Sequence, residues 1–262
     1  MTTNHFLLSH AEPIFLFFAA LVAGALNSVA GGGSFISFPA LLVTHMAPIA
    51  ANATSTAALW PGTLASTFAY RRELAEESRQ TILPLLVSAF FGGLLGAQIL
   101  LHTPQATFLR LVPWLLLSAT LLFVASPYIT SWIRARSDRK GGSHLMTVGA
   151  PILQLVVGTY IGYFGAGSGI MILALLSLLG LTNIHAMNGI KTLLVSVGNA
   201  VALITFIVAR IIVWPQALLM LAGASLGGYG GAFFAQKVNP LYIRRIVIVV
   251  GFTMSFYFFV RH

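Results

Sequence analysis

The spacing Gly-x6-Gly-x-Gly-Ser occurs twice in this chain, at residues 24–34 and again at residues 158–168. Further landmarks return in the same order. Asn52-x3-Thr56-x5-Gly62 is repeated as Asn188-x3-Thr192-x5-Gly198, and Gly92-Gly93-x2-Gly96-Ala97 as Gly227-Gly228-x2-Gly231-Ala232. Pro104 is matched by Pro240, and every displacement lies between 134 and 136 residues. A near-constant offset across four motifs points to a duplicated half, and internal symmetry of this kind restricts the fold before any local pattern does.

The sequence around these landmarks is apolar. Hydrophobic residues make up 58% and charged residues 7% of the 262 residues, with a mean hydropathy of +0.91. That leaves too little polar surface for a water-soluble domain, so an integral membrane protein is expected. Residues 1–12 hold no Lys or Arg ahead of the first apolar run, and they read as part of the mature chain rather than as a signal peptide. Cys is absent, which removes disulfides and thiolate metal sites. The formal net charge is +9, but the basic residues sit in short loops between apolar runs, a pattern of membrane topology rather than of nucleic-acid binding. The acids Glu12, Glu73, Glu76, Glu77 and Asp138 lie at the terminus or in those loops, so no carboxylate is expected at membrane depth.

Apolar runs between polar loops give five segments per half: 13–30, 33–46, 48–70, 81–101 and 106–132, then 146–164, 167–181, 184–212, 215–236 and 240–260. The second of each half falls short of the roughly 20 residues that cross a bilayer, so each should pair with its predecessor as a hairpin. The expected bends are Gly31-Gly32-Gly33 and Gly165-Ala166-Gly167. Cytoplasmic loops carry the excess of Arg and Lys, which tests the count. Arg71, Arg72 and Arg79 precede the fourth segment, Arg134, Arg136, Arg139 and Lys140 join the halves, and Lys237, Arg244 and Arg245 precede or open the tenth. These loops share one side only if each hairpin pair makes an even number of crossings, leaving Arg110, Arg210 and Arg261 on the other side. An odd total per half then makes the halves antiparallel. The expected fold is an all-α polytopic membrane protein of two inverted-topology repeats, each a broken or re-entrant helical hairpin plus three transmembrane helices. The repeats would cover 1–133 and 146–262, with a cytoplasmic linker at 134–145 and both termini extracytoplasmic.

Two such hairpin tips would aim the unpaired N–H groups of a helix start into the membrane, at Gly31, Gly33 and Ser34 in one half and Gly165, Gly167 and Ser168 in the other. Partial positive charge and serine hydroxyls at a helix start suit an anion. The competing reading is that the glycines only let helices approach closely. Asn52, Thr54, Ser55 and Thr56 open the third segment, and Asn188, Lys191 and Thr192 the eighth; polar groups there should face protein or water. Ser55 aligns with Lys191, so one half carries a cation where the other has a hydroxyl. Lys191 either faces the anion or snorkels to the cytoplasmic interface. Asn199 follows Gly198, opposite the Pro61-Gly62-Thr63 stretch of the first half, where helix unwinding would free backbone groups for substrate and a simple kink would not. His45 and His185 flank the hairpins as proton carriers or as plain interfacial residues. The Gly92/Gly96 and Gly227/Gly231 pairs read as helix-packing faces.

The stretches 24–39 and 52–62, with their second copies 158–169 and 188–198, resemble the sulfite exporter TauE/SafE family, and the resemblance covers essentially the whole chain. It implies a multi-pass transporter of the bacterial inner membrane that moves small sulfur-containing anions, such as sulfite or organosulfonates, outward. The expected mechanism is alternating access of the two repeats around one anion. A channel, or a carrier of another small organic anion, is the alternative. No enzyme is expected, because a nucleophile with its base, buried acids and metal ligands are all missing from the sequence pattern. No cofactor or metal is implied; the expected partners are the small anion, the lipid bilayer and a second copy in a homodimer.

Overall fold

The computed structural model describes residues 2–30, 32–136, 149–181, 183–235 and 240–261. Among these residues the chain is helical throughout, with no strand. In order, the helices are α1 (Thr2–Ala30), α2 (Ser34–Val43), α3 (Pro48–Ala69), α4 (Arg71–Glu76), α5 (Arg79–His102), α6 (Gln105–Arg136), α7 (Ala150–Tyr163), α8 (Ser168–Leu178), α9 (Ile184–Val208), α10 (Trp214–Ala235) and α11 (Pro240–Arg261). The ten segments expected from hydropathy are present, and α4 is an additional short helix in the basic loop before α5. Proline opens several helices, where its missing N–H has no partner to lose: Pro48 in α3, Pro151 in α7, Pro215 in α10 and Pro240 in α11. Gly31 and, from residue 137 onward, the expected 134–145 linker lie outside the described residues, as do Arg139, Lys140 and Lys237.

Helices α5 and α9 and the 105–125 part of α6 are long and apolar enough to cross a membrane. Helices α2 and α8 are not: with 10 and 11 residues they reach about 15 and 17 Å at 1.5 Å per residue, against a hydrocarbon core of about 30 Å. Each short helix turns back along its predecessor. In one hairpin, Glu12 and Leu16 of α1 line the same cavity as Thr44 and Met46 beyond α2. In the other, Ala150 and Pro151 of α7 share a cavity with Leu179 beyond α8. Both hairpins therefore return to the end from which they set out.

The two short helices end alike. After α2, His45 N–H donates to Leu42 O and Met46 N–H to Leu41 O; after α8, Gly180 N–H donates to Ser177 O and Leu181 N–H to Leu176 O. This is the Schellman pairing, which requires a left-handed residue just past the helix. His45 takes that conformation with φ 60° and Gly180 with φ 84°. His45, considered above as a proton carrier, thus has a conformational task at the helix end.

By packing, the chain divides into two compact units: residues 1–62, 104–117 and 209–262 form the first, and 63–103 and 118–208 the second. These units do not follow the sequence halves. Within the first unit α1 lies along α10, and within the second α5 lies along α7. The hairpin helix of one half therefore packs on the glycine-rich helix of the other, in both units. Glycine makes this possible. A Cβ on Gly24 would strike Ala224 O, and one on Gly227 would strike Leu21 O; likewise Gly96 against Thr159 O and Gly162 against Gly93 O. Small residues bring the backbones into direct contact, the usual means of helix association where lipid removes the hydrophobic drive. The first glycine of each repeated cluster, Gly24 and Gly158, serves this packing rather than a ligand.

Helix α3 runs through Pro61 and α9 through Gly198 and Asn199 without interruption. Of the two readings of these places, unwinding does not occur. Proline removes one backbone hydrogen bond, and the long helical flanks on either side hold the register across it.

Candidate functional site

The tip of the second unit is built by residues 164–167 between α7 and α8. Gly165 and Gly167 have φ of 76° and 74°, the left-handed region that glycine enters without steric cost. Tyr160 on α7 ties the turn together: its carbonyl accepts from the N–H groups of Phe164 and Gly165, both at 2.9 Å, and its hydroxyl donates to Ala166 O at 2.7 Å. Gly167 also lies close to α6, where an added Cβ would sit 3.3 Å from Ala119 Cβ. Ser168, only 3% exposed, opens α8 with its own N–H donating to Gly165 O. Its hydroxyl has no partner among the described residues, and neither do the N–H groups of Gly167 and Gly169.

Lys191 lies against this helix start. A Cβ on Gly169 would be 3.2 Å from Lys191 Cδ and 3.9 Å from its Cε, so the lysine stem crosses the first turn of α8 directly. Lys191 Nζ donates to Asn188 Oδ1 at 2.8 Å, and the residue is half-buried. On the adjoining turns of α9, the Asn199 Oδ1 atom is 3.8 Å from the position of a Cβ on Gly165. Asn188, Lys191, Asn199, Gly165, Gly167 and Ser168 are therefore brought to one tip. Thr192 is not used there: its hydroxyl donates back to Asn188 O and Gly189 O, at 3.0 and 2.9 Å. A hydroxyl proton committed to its own helix offers an anion nothing in this conformation.

The tip of the first unit reaches the same outline by different means. Gly33 has ordinary helical angles, φ −57° and ψ −36°. It must be glycine because a Cβ would lie 2.8 Å from Ala23 O and 2.9 Å from Asn27 Cβ. Ser34 begins α2, and its N–H and hydroxyl have no partner among the described residues. One turn on, the buried Ser37 donates to Gly33 O at 3.2 Å and shares a 2.7 Å hydrogen bond with Ser55 Oγ. Ser55, the counterpart of Lys191, thus also touches the first turn of its short helix, as a neutral hydroxyl. Asn52 is buried on the same face of α3, whereas Thr56 donates to Asn52 O in the manner of Thr192.

Two contributors, Tyr160 and Gln105, escaped the sequence reading, and Thr54, expected to face protein or water, has a partner the spacing does not indicate. Tyr160 gives no signal, because the first half has Leu26 at the equivalent place. Thr54 accepts from Val213 N–H at 3.1 Å and anchors the approach to α10, and Gln105 accepts from Ile49 N–H at 3.1 Å and caps α3. Both contacts join residues far apart in sequence, and nothing in the local spacing announces them.

The site is rich in N–H and O–H donors and has one ammonium, with no carboxylate in the contacts described. Such a set of groups can hold an anion. The sequence model of the family described as "Sulfite exporter TauE/SafE" matches residues 16–258. The chain belongs to the TauE/SafE family. Similar relatives are a "Probable membrane transporter protein" of Haemophilus influenzae, 30% identical over 92% of this chain and 91% of that protein, and the "Probable membrane transporter protein YfcA" of Escherichia coli K12, 28% identical over 92% and 87%. A third, the "Probable membrane transporter protein ORF9" of a Sinorhizobium species, is 27% identical over 92% and 90%. No solved structure matches. As a TauE/SafE protein, the chain is a multi-pass membrane protein of a transporter family.

Proposed function

We propose that this TauE/SafE protein is a carrier of small anions, sulfite and small organosulfonates foremost, and that it exports them across the bacterial inner membrane without chemical change. The observation that carries this reading is the second tip: Lys191 laid across Gly169, beside the Ser168 hydroxyl and the Gly167 and Gly169 N–H groups, which have no partner among the described residues. Donors fixed at a helix start stabilise negative charge, and one lysine adds a full positive charge beside them. The family's name supplies sulfite as the first anion to test. Ser34 at the first tip is assigned the same duty as Ser168, with Asn52, Asn188 and Asn199 as supporting donors. Transport follows alternating access of two oppositely oriented repeats, with both termini extracytoplasmic.

The test is flux in proteoliposomes with a panel of sulfite, thiosulfate, sulfoacetate, sulfate and simple carboxylates. Saturable movement of a sulfur oxyanion, reduced in Ser34→Ala, Ser168→Ala and Lys191→Ala, is the expected result. Absence of flux for every anion, or full activity in all three variants, overturns the assignment. Large single-channel currents that do not saturate would replace the carrier with a pore.

A further inference from the structure

The mouth of the α1–α2 hairpin, at the end away from Ser34, encloses a cavity of about 520 Å³. Its polar lining is Glu12, Thr44 and Gln216, and Leu16, Met46 and Leu219 form apolar wall. Each polar group carries an acceptor oxygen, Glu12 exposed and Thr44 and Gln216 half-buried. Glu12 is the sole carboxylate in the sequence of the first unit, and it makes no ion pair among the described residues. Gln216 Oε1 is shut off from solvent and has no hydrogen-bond partner among them. Thr44 commits its proton to Leu41 O at 2.8 Å, which leaves its oxygen lone pairs open. No basic side chain of the described residues lines the space. With a carboxylate that makes no ion pair and no basic side chain among the described lining residues, the cavity suits a cationic donor from outside.

We propose that this cavity binds a primary ammonium group on a short carbon frame, either a free amine or the amine headgroup of a membrane lipid. The N–H donors of an ammonium suit the Glu12 carboxylate and the Thr44 hydroxyl oxygen, with Gln216 Oε1, unpartnered where it stands, as the third acceptor once its amide turns toward the cavity. A bare metal ion fits less well, since hard cations take about six or more oxygens and the volume is in the range of organic ligands, roughly 300–1,000 Å³. Leu16, Met46 and Leu219 face the carbon frame. The apolar run expected from the sequence at 13–30 starts just after Glu12, which sets the carboxylate at the edge of that run, the level at which lipid headgroups are found. The corresponding mouth in the second unit has a cavity of about 350 Å³ with Ser78, Gln80 and Thr81 but no carboxylate. It provides an internal comparison: ammonium binding belongs to the Glu12 mouth alone.

The experiment uses the full chain in nanodiscs of phosphatidylcholine and phosphatidylglycerol, titrated with ethanolamine and followed by calorimetry and thermal shift. Saturable binding is expected, weakened at least about tenfold in Glu12→Gln, where a charge-assisted hydrogen bond is lost, and also weakened in Gln216→Met. Thr81→Val at the other mouth should bind as wild type does. Sodium chloride and ethanol at matched concentration should produce no saturable signal. Discs containing phosphatidylethanolamine separate the two sources: loss of ethanolamine binding, with lipid retained through purification in a Glu12-dependent manner, assigns the lipid headgroup, and unchanged binding assigns the free amine. No saturable binding of ethanolamine in amine-free discs, equal binding by both variants, or a saturable response to sodium overturns the proposal. Circular dichroism and size-exclusion profiles identify a variant that fails to fold, in which case the other variant carries the test.

Discussion

Replacing Gly96 by alanine should destabilise the protein, while the same replacement at Gly62 should stabilise it. A Cβ on Gly96 would overlap Thr159 O and lie 2.7 Å from Tyr163 N, both backbone atoms of α7 that cannot rotate aside. Restoring ordinary carbon contact distances requires α5 and α7 to part by roughly 1 Å. That shift also loosens Gly92 against Gly158 and Gly162 against Gly93, which pack in the same seam. Overpacking of this kind costs about 1–3 kcal/mol, and backbone against backbone belongs at the upper end. Alanine recovers about 1 kcal/mol of helix propensity, leaving a net loss of about 2 kcal/mol. At Gly62 an added Cβ meets nothing within 4 Å, so only the propensity gain of about 0.5–1 kcal/mol remains. Thermal unfolding of purified protein, followed by helical circular dichroism, converts these at about 2–4 °C per kcal/mol. Gly96→Ala should melt about 4–8 °C lower and Gly62→Ala about 1–4 °C higher than wild type. Unchanged stability of Gly96→Ala, or shifts of the same sign at both positions, would refute backbone contact as the reason for glycine in this seam.

Lys191→Met keeps an unbranched stem over Gly169 but removes the charge and the bond to Asn188. KM for the transported anion should rise about 10- to 150-fold, the loss of a charge-assisted hydrogen bond, with melting temperature nearly unchanged. Initial rates in proteoliposomes check this, and an unaltered KM would restrict the lysine to covering α8. Ser55→Ala removes the 2.7 Å bond to Ser37 and should cost about 1 kcal/mol in thermal unfolding; no loss would show the pair to be energetically idle. His45→Gly should gain about 1 kcal/mol by relieving the left-handed φ of 60°, and Gly180→Ala should lose a similar amount at φ 84°. Shifts of the same direction for these two would contradict the shared helix ending.

Much of the fold is legible in the sequence because lipid imposes a simple rule. A segment without charges must be helical, and one too short to cross must turn back, so α2 and α8 stand out by length alone. The tips are legible through their glycines, since left-handed backbone at Gly165 and Gly167 has few alternatives. Partner choice is another matter. The small-residue faces of α5 and α10 announce close packing without saying against what, and their partners α7 and α1 come from the opposite half of the sequence. Continuity through Pro61 and Asn199 is equally hidden, because proline and asparagine read the same in a kinked helix and in an unwound one.

The duplication, the apolar segments, the two glycine-serine helix starts and the one-sided lysine are properties of the sequence itself. They follow from composition and spacing, which act on each segment separately. Only tertiary structure decided that Lys191 lies over Gly169, that Ser55 meets Ser37, that Tyr160 fastens the second tip, and that His45 closes α2. These depend on which helix faces are pressed together, and that choice is made by backbone approach at glycines that no single segment determines alone.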